Sequence, residues 1–297
     1  RGEGVSAADP SPRSPAASRP LPQGERGSEA NDMAIKSALI TIMEKAARKA
    51  APRLRRDFNE IEALQVSRKG VADFVSNADH AAEATIREIL THARPDWGLL
   101  MEESSETRHD GQQARWIVDP LDGTSNFIHG LPHFAISIAA EVQGEVVAGL
   151  VYQPLTDESF WAEKGKGAWL QDRRLRVSAR RDLLDSLIAT GIPFAGHGDS
   201  VQFNKIMAAV APEVAGIRRF GAASLDLAWL AAGRFDGYFE ADLQPWDVAA
   251  GILLVREAGG FVTDYRGGDK PIERAEIVAG NDQIHNRLHK LLAGALR

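Results

Sequence analysis

Asp119 and Asp122 frame the stretch of this chain best equipped for chemistry. It reads Trp116-Ile117-Val118-Asp119-Pro120-Leu121-Asp122-Gly123-Thr124-Ser125-Asn126-Phe127. A strand-like apolar approach ends on a carboxylate, Pro120 turns the chain, and a second carboxylate follows three residues later. Two acids across a tight turn suit hard divalent cations, which prefer oxygen ligands. The Gly-Thr-Ser stretch behind them offers closely spaced backbone N–H groups that can cradle a phosphate at a helix start or in an anion-binding nest. Cations and phosphate held side by side point to metal-assisted phosphoryl transfer or hydrolysis.

Two more acidic positions end or open apolar segments. Glu102-Glu103 closes the run Trp97 to Met101, and Asp247 in Pro245-Trp246-Asp247-Val248 opens a helix that should stop at Gly259-Gly260. Each has an ordinary explanation on its own: solvated charge for Glu102-Glu103, a helix-dipole partner for Asp247, a turn for Asp119. The Asp-Pro-Leu-Asp-Gly-Thr string resists that treatment, because a turn needs one acid, not two followed by a phosphate-compatible loop. Glu106, Asp110, Asp157, Glu158 and Asp172 lack such flanks and read as surface charge. His129 and His133 lie close by on an irregular stretch, without zinc-site spacing, and read as packing or loop-anchoring residues. No Walker A, dinucleotide fingerprint or nucleophile elbow is present.

The elements that must position these residues follow from periodicity. Helical spacing from Ile35 to about Arg56 predicts a helix that Pro52 ends or kinks, and Ser76-Asn77-Ala78-Asp79 starts another. Short strands then deliver Glu102 and Asp119. Strand-like runs over Phe134–Val142, Glu145–Tyr152, Ser159–Ala162 and Ala168–Val177 form an antiparallel meander with helices on one face, an α+β arrangement. After Ser178 strands and helices alternate, as in an α/β half, with a boundary expected near residues 176–185. The domains are thus 1–32, 33–178 and 179–297. The first is rich in proline and poor in large aliphatics, so it is expected to be a disordered extension ahead of a natural start at Met33.

The composition of the full 297-residue chain, 44% hydrophobic with a net charge of -6, suits a globular enzyme and shows no basic stripe for nucleic acid. An acidic protein that handles an anion needs local positive charge, which bound metal supplies. The absence of cysteine excludes disulfides and thiolate chemistry and fits a reducing cytoplasm. No apolar run is long enough to span a membrane.

With these residues assembled, the chain resembles the inositol monophosphatase family of magnesium-dependent, lithium-sensitive phosphatases over residues 33–297. The likeness rests on Trp116 to His129, on Trp246 to Gly260 around Trp-Asp-Val-Ala-Ala-Gly, on Glu102-Glu103-Ser104, and on Asp79 in Ser-Asn-Ala-Asp. Gly221 to Ala228 and Ala231 to Arg234 are most like bacterial members. The resemblance implies a layered α-β-α-β-α sandwich, with most metal ligands in the first half and the substrate contacts and Asp247 in the second. It implies one magnesium ion on Glu102, Asp119 and the Leu121 carbonyl, and a second on Asp119, Asp122 and Asp247. A third, weaker ion would reach Glu102 through water. Asp79 and Thr124, supported by Glu102, would orient and deprotonate the attacking water. Asp122 and the N–H groups of Gly123, Thr124 and Ser125 would meet the phosphate, Ala223 and Glu240 the substrate hydroxyls, and Asp247 the ester oxygen. The implied reaction is hydrolysis of inositol monophosphate or a similar polyol phosphate by a cytoplasmic homodimer. Fructose-1,6-bisphosphate, 3′-phosphoadenosine-5′-phosphate and histidinol phosphate are alternative substrates on the same fold. The nucleotide reading would gain from aromatic or basic residues near the site, and none is evident in the chain. A different class of role is a binding partner of the transcription machinery.

Overall fold

Ser37 starts the first helix, its hydroxyl accepting the Ile40 N–H at 3.4 Å, and α1 runs Ala38–Asn59. The computed structural model describes residues 35–60, 66–70, 73–104, 106–107 and 113–297. The expectation for residues 1–32, and Asp110, lie outside the described residues. Pro52 neither ends nor breaks α1. The helix carries Leu54 inward beyond it, extending a buried face of Ile40, Met43, Ala46, Ala47, Ala50 and Ala51. Burial of that continuous face outweighs the single hydrogen bond that proline removes.

A two-stranded antiparallel ribbon, β1 (Val66–Gly70) and β2 (Asp73–Ser76), leads into α2 (Asn77–Ala93). β3 (Gly98–Met101) then pairs in parallel with β4 (Ala114–Asp122), and the short α3 (Thr124–Ile128) follows. From β4 the sheet continues as an antiparallel meander through β5 (Ala135–Val142), β6 (Glu145–Gln153), β7 (Glu158–Glu163), β8 (Gly167–Leu170) and β9 (Arg173–Arg174). The expected single strand over Ala168–Val177 is broken at Gln171, which turns the chain with a φ of 54°.

Residues 175–186 carry the chain to a second sheet, ordered β11 (Gly216–Arg218), β10 (Leu187–Thr190), β12 (Gly237–Ala241), β14 (Glu276–Gly280), β13 (Phe261–Thr263). β10 is parallel to both β11 and β12, whereas β14 runs against its two neighbours. The helices of this region are α4 (Ser200–Val210), α5 (Ala223–Ala231), α6 (Pro245–Glu257), α7 (Pro271–Arg274) and α8 (Asp282–Ala295).

Strand alternation decides the layering, since successive side chains point to opposite faces. Trp116 and Val118 of β4 pack with α1 and α2, while Ile117 between them packs on the side of α5 and α6. Likewise Tyr238 of β12 faces α5 and α6, and Phe239 faces α4 and α8. The order is therefore α1/α2, seven-stranded sheet, α5/α6, five-stranded sheet, α4/α8: the α-β-α-β-α sandwich. No helix among the described residues is long and apolar enough to cross a membrane.

Candidate active site

β4 carries its two acids across an irregularity in its pairing with β5. Asp119 stands opposite Ser137 and Asp122 opposite Ala135, with Pro120 and Leu121 accommodated between. Such a bulge re-aims side chains that strict alternation would send to opposite faces. Asp119 Oδ1 accepts the Leu121 N–H at 2.9 Å, and Asp122 Oδ2 accepts both the N–H (2.8 Å) and the hydroxyl (2.5 Å) of Ser224. Gly123 follows with φ +91°, and a Cβ there would lie 3.0 Å from the His133 carbonyl. Only glycine adopts that turn comfortably, and the turn starts α3 at Thr124.

Thr124 Oγ1 lies 2.9 Å from Asp79 Oδ1 and 3.0 Å from the Leu121 carbonyl. Asp79 is fully buried at the start of α2, where Oδ2 accepts the N–H and hydroxyl of Ser76 in a capping box. It therefore meets the site through Thr124. Glu102 follows the end of β3, its N–H donating to the Val118 carbonyl at 3.3 Å, and lines the same cavity as Asp119. Its neighbour Glu103 is tied instead by its N–H to Glu83 at 3.0 Å.

Asp247 comes from the first turn of α6, with Pro245 at the helix start and the Gln244 N–H donating to Oδ2 at 2.7 Å. A cross-link explains how it arrives beside residues so distant in the chain. Ser137, the β5 partner of Asp119, donates its hydroxyl to the Trp246 carbonyl at 3.1 Å. The start of α6 is thus stitched to the sheet at the position facing Asp119.

A cavity of about 480 Å³ collects these groups. Glu102, Asp119, Leu121, Asp122, Gly123, Thr124 and Ser125 line it together with Ala223, Glu240 and Asp247. Tyr238 donates its hydroxyl to Glu240 Oε2 at 2.6 Å. Phe194, His197 and Arg219 also line the cavity, bringing it the aromatic and basic side chains that nothing in the chain had announced. Ser224 too went unrecognised, because its partner Asp122 lies 102 residues away and leaves no local pattern. His129 Nδ1 meets the Ser125 carbonyl at 2.7 Å and His133 Nε2 meets Asp226 at 3.2 Å, so both serve as anchors.

Burial raises the pKa of Asp119 well above the usual carboxylate range, and the charges of Glu102, Asp122 and Asp247 push it further. Asp247 is raised well above that range by burial, then by Asp122, Glu102 and Glu240. Asp122 rises to about 6 through burial, against the opposing hydrogen bonds of Ser224. Burial takes Glu240 to about 8 and also raises Asp79. Among the described residues no three His, Asp or Glu side chains meet as a closed ion-binding cluster. Even so, the donor set fits a hard dication: Asp119 and Asp122 are buried, Glu102 and Asp247 half-buried, and the acids raise one another's pKa, a repulsion that a cation would relieve.

Residues 36–297 match a family model described as the inositol monophosphatase family. An inositol-1-monophosphatase of Rhizobium meliloti (strain 1021) is 55% identical, over 86% of this chain and 97% of that protein. A protein named Nus factor SuhB from Escherichia coli (strain K12) is 45% identical, over 83% of this chain and 92% of that one. The crystal structure of extragenic suppressor protein suhB from Bartonella henselae superposes with a TM-score of 0.84 at 54% identity, covering 86% of this chain and 98% of that chain.

Proposed function

This chain belongs to the inositol monophosphatase family, and from that premise we propose that it hydrolyses inositol monophosphate, releasing inositol and phosphate. The observation that carries the reading is the meeting of Glu102, Asp119, Asp122 and Asp247 on one cavity, beside the Gly123–Ser125 turn. Glu102, Asp119, the Leu121 carbonyl, Asp122 and Asp247 would hold two magnesium ions and a weaker third, which when bound share the phosphate charge, acidify water and stabilise the leaving oxygen.

The protein's own groups do the rest. The Thr124 hydroxyl accepts a hydrogen bond from the attacking water while directing its own proton to Asp79 Oδ1, with Glu102 supporting the water from the same cavity. Burial makes the Asp79 carboxylate a better proton acceptor, and its capping bonds to Ser76 fix its direction. Asp122 and the N–H groups of Gly123, Thr124 and Ser125 meet the phosphate. Ala223 and Glu240 meet the hydroxyls of the alcohol, and Asp247 lies toward the ester oxygen. In this reading residues 33–178 supply most metal ligands, residues 179–297 supply the substrate contacts and Asp247, and the enzyme is a cytoplasmic homodimer.

Phosphate release from inositol 1-phosphate, fructose-1,6-bisphosphate, 3′-phosphoadenosine-5′-phosphate and histidinol phosphate, with and without magnesium, tests the substrate. Inositol 1-phosphate is expected to give the highest kcat/KM, and only with magnesium. Asp119→Asn and Asp247→Asn should each lose this turnover while remaining folded by circular dichroism. Near-normal rates in either variant at saturating magnesium would defeat the assignment. The relatives named Nus factor SuhB support a second reading, a partner role in transcription. Binding to RNA polymerase that survives Asp119→Asn would separate that role from catalysis.

A further inference from the structure

β10 and β12 run parallel with Thr190 beside Phe239, so their next residues, Gly191 and Glu240, emerge together where the sheet opens on the cavity. The Glu240 carboxyl group occupies the space over the Gly191 α-carbon. A Cβ on Gly191 would come within 1.8 Å of Oε1, 2.2 Å of Cδ and 2.8 Å of Oε2. No side chain fits there while the carboxyl keeps its place. To yield, the carboxyl must give up its place on the wall and the hydrogen bond that the fully buried Tyr238 donates to Oε2. Gly191 is not among the glycines of positive φ, so its backbone makes no demand for glycine. What requires glycine is the room it leaves.

With Oε2 committed to Tyr238, Oε1 is the oxygen left for a ligand. A wall built to hydrogen-bond hydroxyl groups discriminates strongly against substrates that lack them, because its buried polar groups are then left unpaired. We propose that Gly191 is a specificity-determining residue: by lacking a side chain it lets Glu240 stand on the cavity wall, and so creates the preference for polyol phosphates over phosphate esters without free hydroxyls. This rests on the phosphatase reading above, and Gly191 acts in it as a positioning residue for Glu240.

The test compares kcat/KM for inositol 1-phosphate and 4-nitrophenyl phosphate at saturating magnesium. Four proteins are used: wild type, Gly191→Ala, Glu240→Ala and the double variant. The inositol-to-nitrophenyl ratio should fall roughly 10- to 100-fold in Gly191→Ala, the worth of a hydrogen bond to a charged group. Glu240→Ala should show a similar fall, and adding Gly191→Ala to it should cost nothing more. An unchanged ratio in Gly191→Ala, or an undiminished cost in the Glu240→Ala background, overturns the proposal. If Gly191→Ala is too unstable to assay, the double variant must unfold at a higher temperature than the single, because removing the carboxyl vacates the space. A double variant no more stable than the single also overturns it. Wild type that releases phosphate from neither ester defeats the phosphatase reading and this inference with it, whereas an active wild type with an unmoved ratio in Gly191→Ala defeats this inference alone.

Discussion

Thr124 has one proton and two oxygens in reach, Asp79 Oδ1 and the Leu121 carbonyl. In the proposed mechanism, which one it serves decides whether its lone pairs face the attacking water. Thr124→Ala is therefore expected to lower kcat about 100-fold while moving the magnesium half-saturation by less than about threefold. Loss of magnesium affinity with normal saturated turnover would contradict the water-positioning role. Ser224 acts on the other acid: both its donors go to Asp122 and favour the ionised carboxylate. Ser224→Ala should raise the magnesium concentration for half-maximal activity about tenfold, as loss of a residue supporting a ligand usually does. An unshifted magnesium titration would refute it. At this scale the chain discloses what is contiguous. Asp119, Asp122, Gly123 and Thr124 are legible because one short string holds both acids and the loop behind them. Ser224 and Gly191 are illegible because a serine or glycine acquires its meaning from a partner brought in by another strand.

The turn at Gly123 shows how elements set the chemistry. β4 ends in a bulge and α3 starts at once, and the joint between them has a φ of +91° with the His133 carbonyl 3.0 Å from any added Cβ. Gly123→Ala combines backbone strain with that contact, so a loss of about 1–3 kcal/mol is expected. For a chain of this size that corresponds to a fall in Tm of several degrees, measurable by calorimetry with the metal removed by chelator. A variant as stable as wild type would show that the joint relaxes. Most elements could be read from periodicity, because amphipathic helices and alternating strands repeat over many residues. Pro52 misled because the stability of α1 comes from its buried face, which sequence punctuation does not reveal. The run over Ala168–Val177 misled because Gln171, a residue without special turn preference, reverses the chain there.

For the whole molecule, the concentration of acids in one cavity links stability to pH. Folded Glu240 titrates at about 8 and Asp122 at about 6, above their ordinary values of 4.5 and 3.8. The folded state thus holds protons that the unfolded chain has released. Their contribution is fully present below pH 4 and is lost as pH rises toward 8. In chelator, Tm should decline across that window, and the Tm gained on adding magnesium should widen with pH. A magnesium gain independent of pH would contradict the clustering. The strand order of the second sheet could not be anticipated, because it depends on crossovers that periodicity does not encode. The hydrogen bond from Ser137 to Trp246 joins a strand made early to a helix made late. A ribosome that has reached residue 240 has made three of the four acids but has not yet added the helix that delivers the fourth. In the proposed mechanism the cavity is therefore without its fourth acid until α6 has been made.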